Sequence, residues 1–229
     1  MSRPRTPARR RLGRPPAAES GATRDRILHA AREAFADLGY SATTNKALAD
    51  NADVTTGAIY HYFDSKLDLY RAVNDEAQEF VYARFEAVLA DADTFVEGVE
   101  NLLEMAWELN HSDPSLARFL GAVRIDVRRN PELRGMFKPA TIRRERLIIA
   151  LADIGVATGE LAAADRDRTV ALLRAVLVGL VDVSDDAVAH RQAIDALKAL
   201  IKGDLVRSES AERKQTRAAV RARVRSLTN

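Results

Sequence analysis

Apolar positions recur at helical spacing along almost the whole 229-residue chain. Ile27, Ala31, Phe35 and Leu38 make a first stripe, with Thr23 placed to cap its start and Gly39 to stop it. A short polar link leads to Thr44, which caps a brief helix through Leu48 to Asn51. Ala52-Asp53-Val54 reads as a tight turn, and a third short helix follows from Thr55 to Phe63. Ser65-Lys66-Leu67-Asp68 has the form of a capping box opening a long helix. Val and Ile lie among Ala, Leu, Arg and Glu at a period near four rather than two, so no strand is expected. The predicted fold is all-α, with a small helical unit to residue 70 and a larger one after it.

In the larger unit, the segment from Phe95 to Leu109 is apolar over more than half its circumference. Phe95, Val99, Leu102 and Ala106 form one stripe, and Val96, Leu103 and Trp107 a neighbouring one. Such a helix is surrounded by others. Leu116, Phe119, Leu120, Val123 and Val127 make a narrower stripe on the next helix, with Arg124 at its edge. Val170 to Val183 is apolar all round apart from Arg174 and Asp182, which would leave one face bare in a monomer. A second subunit is the natural cover. The expected homodimer contact comprises Leu173, Leu177, Leu180 and Val181 here, with Ala193, Ile194, Leu197, Leu200 and Ile201 on the following helix.

Charge distribution changes this picture more than net charge does. The whole chain carries +2, but residues 1–19 contribute +5 and residues 213–229 contribute +6, which leaves −9 for the stretch between. An acidic body with two basic ends suggests a polyanionic partner. The expected organisation is a basic disordered arm (1–22), a DNA-binding unit (23–70), a helical effector-binding and dimerisation unit (71–206) and a basic tail (207–229). The absence of cysteine excludes disulfide frameworks, thiol catalysis and thiolate metal sites, and fits a reducing cytoplasm. The N-terminus has no apolar core of a secretory signal, and the longest apolar run is too short to span a bilayer. A cytoplasmic protein without a membrane partner is expected.

Two short helices around a tight turn suggest a helix-turn-helix, whose second helix enters the DNA major groove. With Ile59 and Phe63 turned inward at i, i+4, the opposite side of that helix carries Gly57 and His61, flanked by Ala58 and Tyr60. Lys and Glu would be usual on a solvated face; Gly, Ala, Tyr and His suit close approach to another molecule. Thr55 and Thr56 offer hydroxyls at the helix start, and Thr44 and Lys66 sit at helix N-termini that favour a phosphate. The same residues could instead form a helical hairpin with Tyr60 and His61 at an internal joint.

The stretch from Ile27 to Val73 resembles the N-terminal domain of the TetR family of transcriptional regulators. The resemblance is carried by AAREAFADLGY, the Thr43-Thr44 pair, LADNADV, TTGAIYHYF and Ser65-Lys66. It implies phosphate contacts at Thr44, Tyr60 and Lys66, and base-edge contacts at or near Thr55, Thr56, Gly57 and His61. Tyr62 is a further contact candidate whose ring can alternatively pack at the helix joint. Three positions depart from the family pattern: Asp53 stands where Gly is usual in the turn, Asn45 where an apolar residue is common, and Ala47 where Ile or Val is common. The resemblance also implies a small-molecule pocket in the larger unit, for which Tyr82, Met105, Trp107, Phe119 and Arg124 are the candidate lining. It implies a dimer contact through the last two long helices.

The DNA-binding unit itself has six basic and seven acidic residues between positions 24 and 74, a poor electrostatic match for DNA. Leu12-Gly13-Arg14-Pro15-Pro16 resembles the core of AT-hook segments, so Arg14 is a candidate minor-groove contact; an unstructured basic leader is the alternative. There is no Walker loop, dinucleotide-binding glycine fingerprint or His-Glu-x-x-His helix, and the four histidines have no metal-ligand spacing. No catalytic residue, metal or cofactor is expected. The resulting expectation is a homodimeric, sequence-specific regulator on double-stranded DNA, a repressor released from a palindromic operator by a hydrophobic small-molecule effector. A sequence-independent structural DNA binder and a helical small-molecule-binding enzyme are the competing readings.

Overall fold

The computed structural model describes residues 17–135 and 137–205. Among these, the chain forms nine α-helices and no strand: α1 (Ala17–Ala42), α2 (Asn45–Asn51), α3 (Thr56–Tyr62), α4 (Lys66–Ala90), α5 (Phe95–Ser112), α6 (Pro114–Arg129), α7 (Lys138–Thr158), α8 (Arg166–Asp182) and α9 (Ala187–Ile201). Arg14 and the tail from 207 onward lie outside the described residues.

The caps foreseen at Thr44 and Ser65 form, and Thr55 caps α3. Each side-chain oxygen accepts a backbone N–H three residues on, from Ala47, Asp68 and Ala58 respectively. This satisfies an amide that the first helical turn otherwise leaves without a partner. Thr23 does not cap α1. The helix begins six residues earlier, at Ala17, because Ala17-Ala18-Glu19 are strong helix formers and continue the helix past Thr23. Residues 17–22, expected in the disordered arm, are therefore helical.

Gly39 interrupts α1 with φ 74° and ψ 169°, a conformation essentially confined to glycine. The break turns Tyr40 inward, where it packs edge-on against Tyr70. Leu38, expected on the buried stripe, is 54% exposed; Tyr40 closes that end of the core instead. In the turn between α2 and α3, Asp53 has φ 51°, the left-handed conformation that glycine would take more readily.

The core of the small unit is not built by residues 23–70 alone. Ile27, Phe35, Leu48, Ile59 and Leu69 share one apolar cluster with Leu116, Phe119 and Val123 of α6 and Leu133 beyond it. A second cluster joins α4, α5, α7, α8 and α9 around Phe85, Leu103, Leu151 and Ile194. α4 serves both: Leu69, Tyr70 and Val73 belong to the first and Val81, Phe85 and Leu89 to the second. α9 is held to α5 by ion pairs from Glu104 to Arg191 and Lys198 and from Glu100 to Lys202. α7 is held to α4 by Arg143, which bridges Glu79 and Glu86.

Candidate nucleic-acid interface and interior cavity

α3 places its side chains as the helical period requires. Ile59 and Phe63 are buried, whereas Thr55, Thr56, Gly57, Tyr60 and His61 are exposed. The internal-joint alternative is thereby excluded for Tyr60 and His61 within the protomer. A Cβ on Gly57 would meet only Thr55 Oγ1, at 3.8 Å, so the helix backbone lies open at its start. Tyr62 is half-buried and packs on the apolar cluster, with its ring edge-on to His61 at 5.2 Å.

The polar departure at Asn45 has a structural use. Asn45 Nδ2 donates to the Tyr60 hydroxyl, linking α2 to the exposed face of α3. A phenol oxygen that accepts this bond keeps its own proton to donate elsewhere, as to a phosphate oxygen.

Lys66 stands at the start of α4, as expected. Its ammonium turns inward, donating to the carbonyls of Tyr40 (2.8 Å) and Thr43 (3.0 Å) and lying 4.4 Å from the Tyr40 ring centre. Burial lowers its pKa. The carbonyls freed where α1 breaks at Gly39 draw the cation in, and the first-turn amides of α4 face the position a phosphate would take at a helix N-terminus. Thr44 is exposed at the start of α2, with its hydroxyl engaged as the cap.

Behind this surface, α1 and α6 are joined by polar contacts in order along both helices. Arg32 pairs with Asp113 and donates to Ser115 Oγ (2.8 Å), and Arg118 donates to Asp37 (2.6 Å). Asp126, buried on α6, accepts both the Tyr40 amide (2.8 Å) and the Tyr70 hydroxyl (2.9 Å) on one oxygen. Burial and the Asp126 charge together push the Tyr70 pKa well above its ordinary value. A Cβ on Gly39 would stand 3.1 Å from Asp126 Oδ1.

The larger unit contains a cavity of about 470 Å³ between α4, α5, α6, α7, α8 and the start of α9. Tyr82 and Arg124 line it, as expected. Burial pushes the Tyr82 phenol up to about 12, so it remains a neutral donor. Met105, Trp107 and Phe119 do not line it. α5 turns Ala106, Leu109 and Asn110 to the cavity; Trp107, one residue on from Ala106, instead stacks on His111 and lies under Arg191 of α9. Met105 packs on the second apolar cluster, and Phe119 is fully buried against Tyr70 in the first.

Sequence reasoning missed Gln78, Asn110, Arg128, Arg144 and His190, all of which line the cavity. One signal was present: Asn110 falls seven residues after Leu103 on an apolar face, a polar residue where a core residue is expected. Asn110 is buried and donates from Nδ2 to the Ser184 carbonyl (2.8 Å), with His190 Nδ1 at 3.2 Å. Burial lowers the His190 pKa, which favours the neutral ring.

Part of the expected dimer contact is buried within the protomer. Ile194 is fully buried and Leu180 nearly so, inside the protomer's own core. Leu173, Leu177, Leu197 and Ile201 pack partly on those same cores. Leu200, also expected at the contact, is exposed, as are Leu172 (61% exposed) and Val178 on α8 and Val188 on α9. Helices apolar all round do not reveal in sequence which side the protomer itself uses. Among the described residues no helix is long and apolar enough to cross a membrane, and no three acidic or histidine side chains are gathered to hold a metal ion.

Residues 27–73 match the family model of bacterial regulatory proteins of the tetR family. The chain is 30% identical over 120 residues to the transcriptional regulator UidR of Escherichia coli K12, covering 52% of this chain and 59% of UidR. It is 32% identical over 85 residues to the transcriptional repressor KstR2 of Mycolicibacterium smegmatis, covering 37% of this chain and 42% of that one. The solved structure of Salmonella enterica GusR is similar over nearly its full length: TM-score 0.64, 27% identity, 85% of this chain and 98% of GusR. The helix-turn-helix segment is thus matched by sequence to the tetR family model, and the helical body behind it is similar in structure to GusR.

Proposed function

We propose that the protein is a sequence-specific DNA-binding regulator, a homodimeric repressor released from a palindromic operator by a small molecule held in the cavity. The observation that carries this reading is the face of α3, where Thr55, Thr56, Gly57, Tyr60 and His61 are exposed together while Ile59 and Phe63 anchor the helix. Small residues at the helix start let the backbone approach base edges, and Tyr60 and the α4 N-terminus flank them with phosphate donors. The repressor named KstR2 is among the chain's relatives and supports the direction of control.

The proposed coupling runs through α6. One side of this helix carries Phe119 and Asp126, locked to α1 and α4 of the DNA-binding unit. The other carries Leu120, Arg124 and Val127, which line the cavity. A ligand that favours a different position of α6 moves the recognition helices with it, by as much as its affinities for the two positions differ. The proposed dimer face is Leu172, Ala175, Val178 and Gly179 of α8 with Val188 and Leu200 of α9. A Cβ on Gly179 would meet nothing within 4 Å, which suits close approach by a partner helix.

Selection of bound sequences from a random DNA pool, followed by titration, tests the reading. A palindrome with half-sites about one helical turn apart is expected to be enriched. His61→Ala is expected to change sequence preference, costing about 1–3 kcal/mol at one position per half-site. Tyr60→Phe is expected to weaken binding to all sequences alike. Equal affinity for random DNA would identify a structural DNA binder, and indifference to both substitutions would exclude α3 from the groove.

A further inference from the structure

Four buried side-chain polar atoms lack a hydrogen-bond partner among the described residues, and three of their side chains line the cavity: Gln78 (Oε1), Asn110 (Oδ1) and Arg144 (Nε). A buried polar group left unpaired is costly, so such atoms normally find a partner. Asn110 is the most constrained, with only 6% of its surface exposed and its amide nitrogen already committed to Ser184. Its orphaned oxygen, like that of Gln78, can only accept; the orphaned Arg144 nitrogen can only donate. A matching ligand therefore brings both a donor and an acceptor.

The charge of the lining selects the kind of acceptor. Arg124, Arg128, Arg144 and Arg174 line the cavity, and no Asp or Glu does. Glu145 alone answers them, held at 2.6 Å by Arg174 and at 3.4 Å by Arg144. Arg124 and Arg128 make no ion pair among the described residues, and both are exposed to solvent, which screens them. The guanidinium with a buried, unpartnered N–H is that of Arg144, and one such group suits one carboxylate. The remaining lining is mostly apolar, with Val81, Phe85, Leu109 and Leu120 among it.

We propose that the cavity takes an amphipathic organic acid: an apolar skeleton with a carboxylate for Arg144 and a hydroxyl whose single O–H is shared by the amide oxygens of Asn110 and Gln78. This rests on reading the cavity as the effector site. Titration calorimetry on the full-length dimer with three probes of equal chain length tests it, each kept below its micelle concentration. The probes are 12-hydroxydodecanoate, dodecanoate and 1,12-dodecanediol. The hydroxy acid is expected to bind at least about tenfold more tightly than either of the others, the worth of one charge-assisted or otherwise unsatisfied buried hydrogen bond. Arg144→Met is expected to abolish its advantage over the diol, and Gln78→Leu to reduce its advantage over dodecanoate. Thermal unfolding and DNA affinity of both variants check that the fold persists. A diol that binds as tightly as the acids overturns the ligand class and leaves the effector site standing. Failure of every probe to bind a dimer that still holds DNA overturns the site as well.

Discussion

Asp126 and Asn110 are both polar side chains about 6% exposed, one on α6 and one on α5, and their surroundings differ. The Asp126 carboxylate is met by a backbone amide and a tyrosine hydroxyl, each from the helix-turn-helix unit. The Asn110 side chain is satisfied on its nitrogen and orphaned on its oxygen. The first arrangement resists change, because any movement of α6 away from α1 strands a buried charge. The second is incomplete within the protein and is completed by whatever enters the cavity. The same helix, α6, borders both, so the molecule sets a tight joint beside a receptive site. A ligand that shifts α6 is therefore expected to carry α1 and the recognition helices along rather than slide past them.

The sharpest way to break this contrast is to remove the Asp126 carboxylate. Asp126→Ala leaves the Tyr40 amide and Tyr70 hydroxyl without partners and is expected to cost about 3–5 kcal/mol in urea unfolding. Tyr70→Phe, which deletes one of the two bonds, should cost about 1–2 kcal/mol. A small loss for Asp126→Ala would mean that the joint is held by apolar packing alone.

The cavity side has a smaller, pH-dependent signature. Burial lowers the His190 pKa, so the folded protein keeps the ring neutral where the unfolded chain, with a pKa of about 6.5, takes up a proton. The unfolded state then binds more protons, and this contribution is present above the unfolded pKa and is lost as pH falls through the folded one. The urea midpoint is expected to fall between pH 7.5 and pH 5 by more in the parent protein than in His190→Gln. Equal falls would show that His190 does not carry it.

The smallest effect is expected at Gln78. Gln78→Leu removes an oxygen that has no partner and one long contact to Asn74, so unfolding should change by no more than about 0.5 kcal/mol. Against Asp126→Ala, that near-zero result is the direct measure of a satisfied polar group beside an unsatisfied one.

The helix-turn-helix surface was legible because its geometry is local. Ile59 and Phe63 lie four apart and turn inward together, and that alone put Gly57, Tyr60 and His61 outside. Lys66 escaped the same reasoning, since its partners are carbonyls 23 and 26 residues earlier, exposed by a glycine break. Trp107 was misplaced for a related reason. Its stripe on α5 was correct, but whether that stripe faces the cavity or α9 depends on where α9 lies.

The sequence by itself determined the short helices α2 and α3, the caps at Thr44 and Ser65, and the inward and outward faces of α3, because these follow from spacing within one or two turns. Only the tertiary structure decided that α6 completes the core of the helix-turn-helix unit, that Ile194 and Leu180 are buried within the protomer, and that Gln78, Asn110 and Arg144 meet around one cavity. Those outcomes rest on helices distant in sequence competing for the same apolar faces. Periodicity marks which faces are to be buried, and packing selects what buries them.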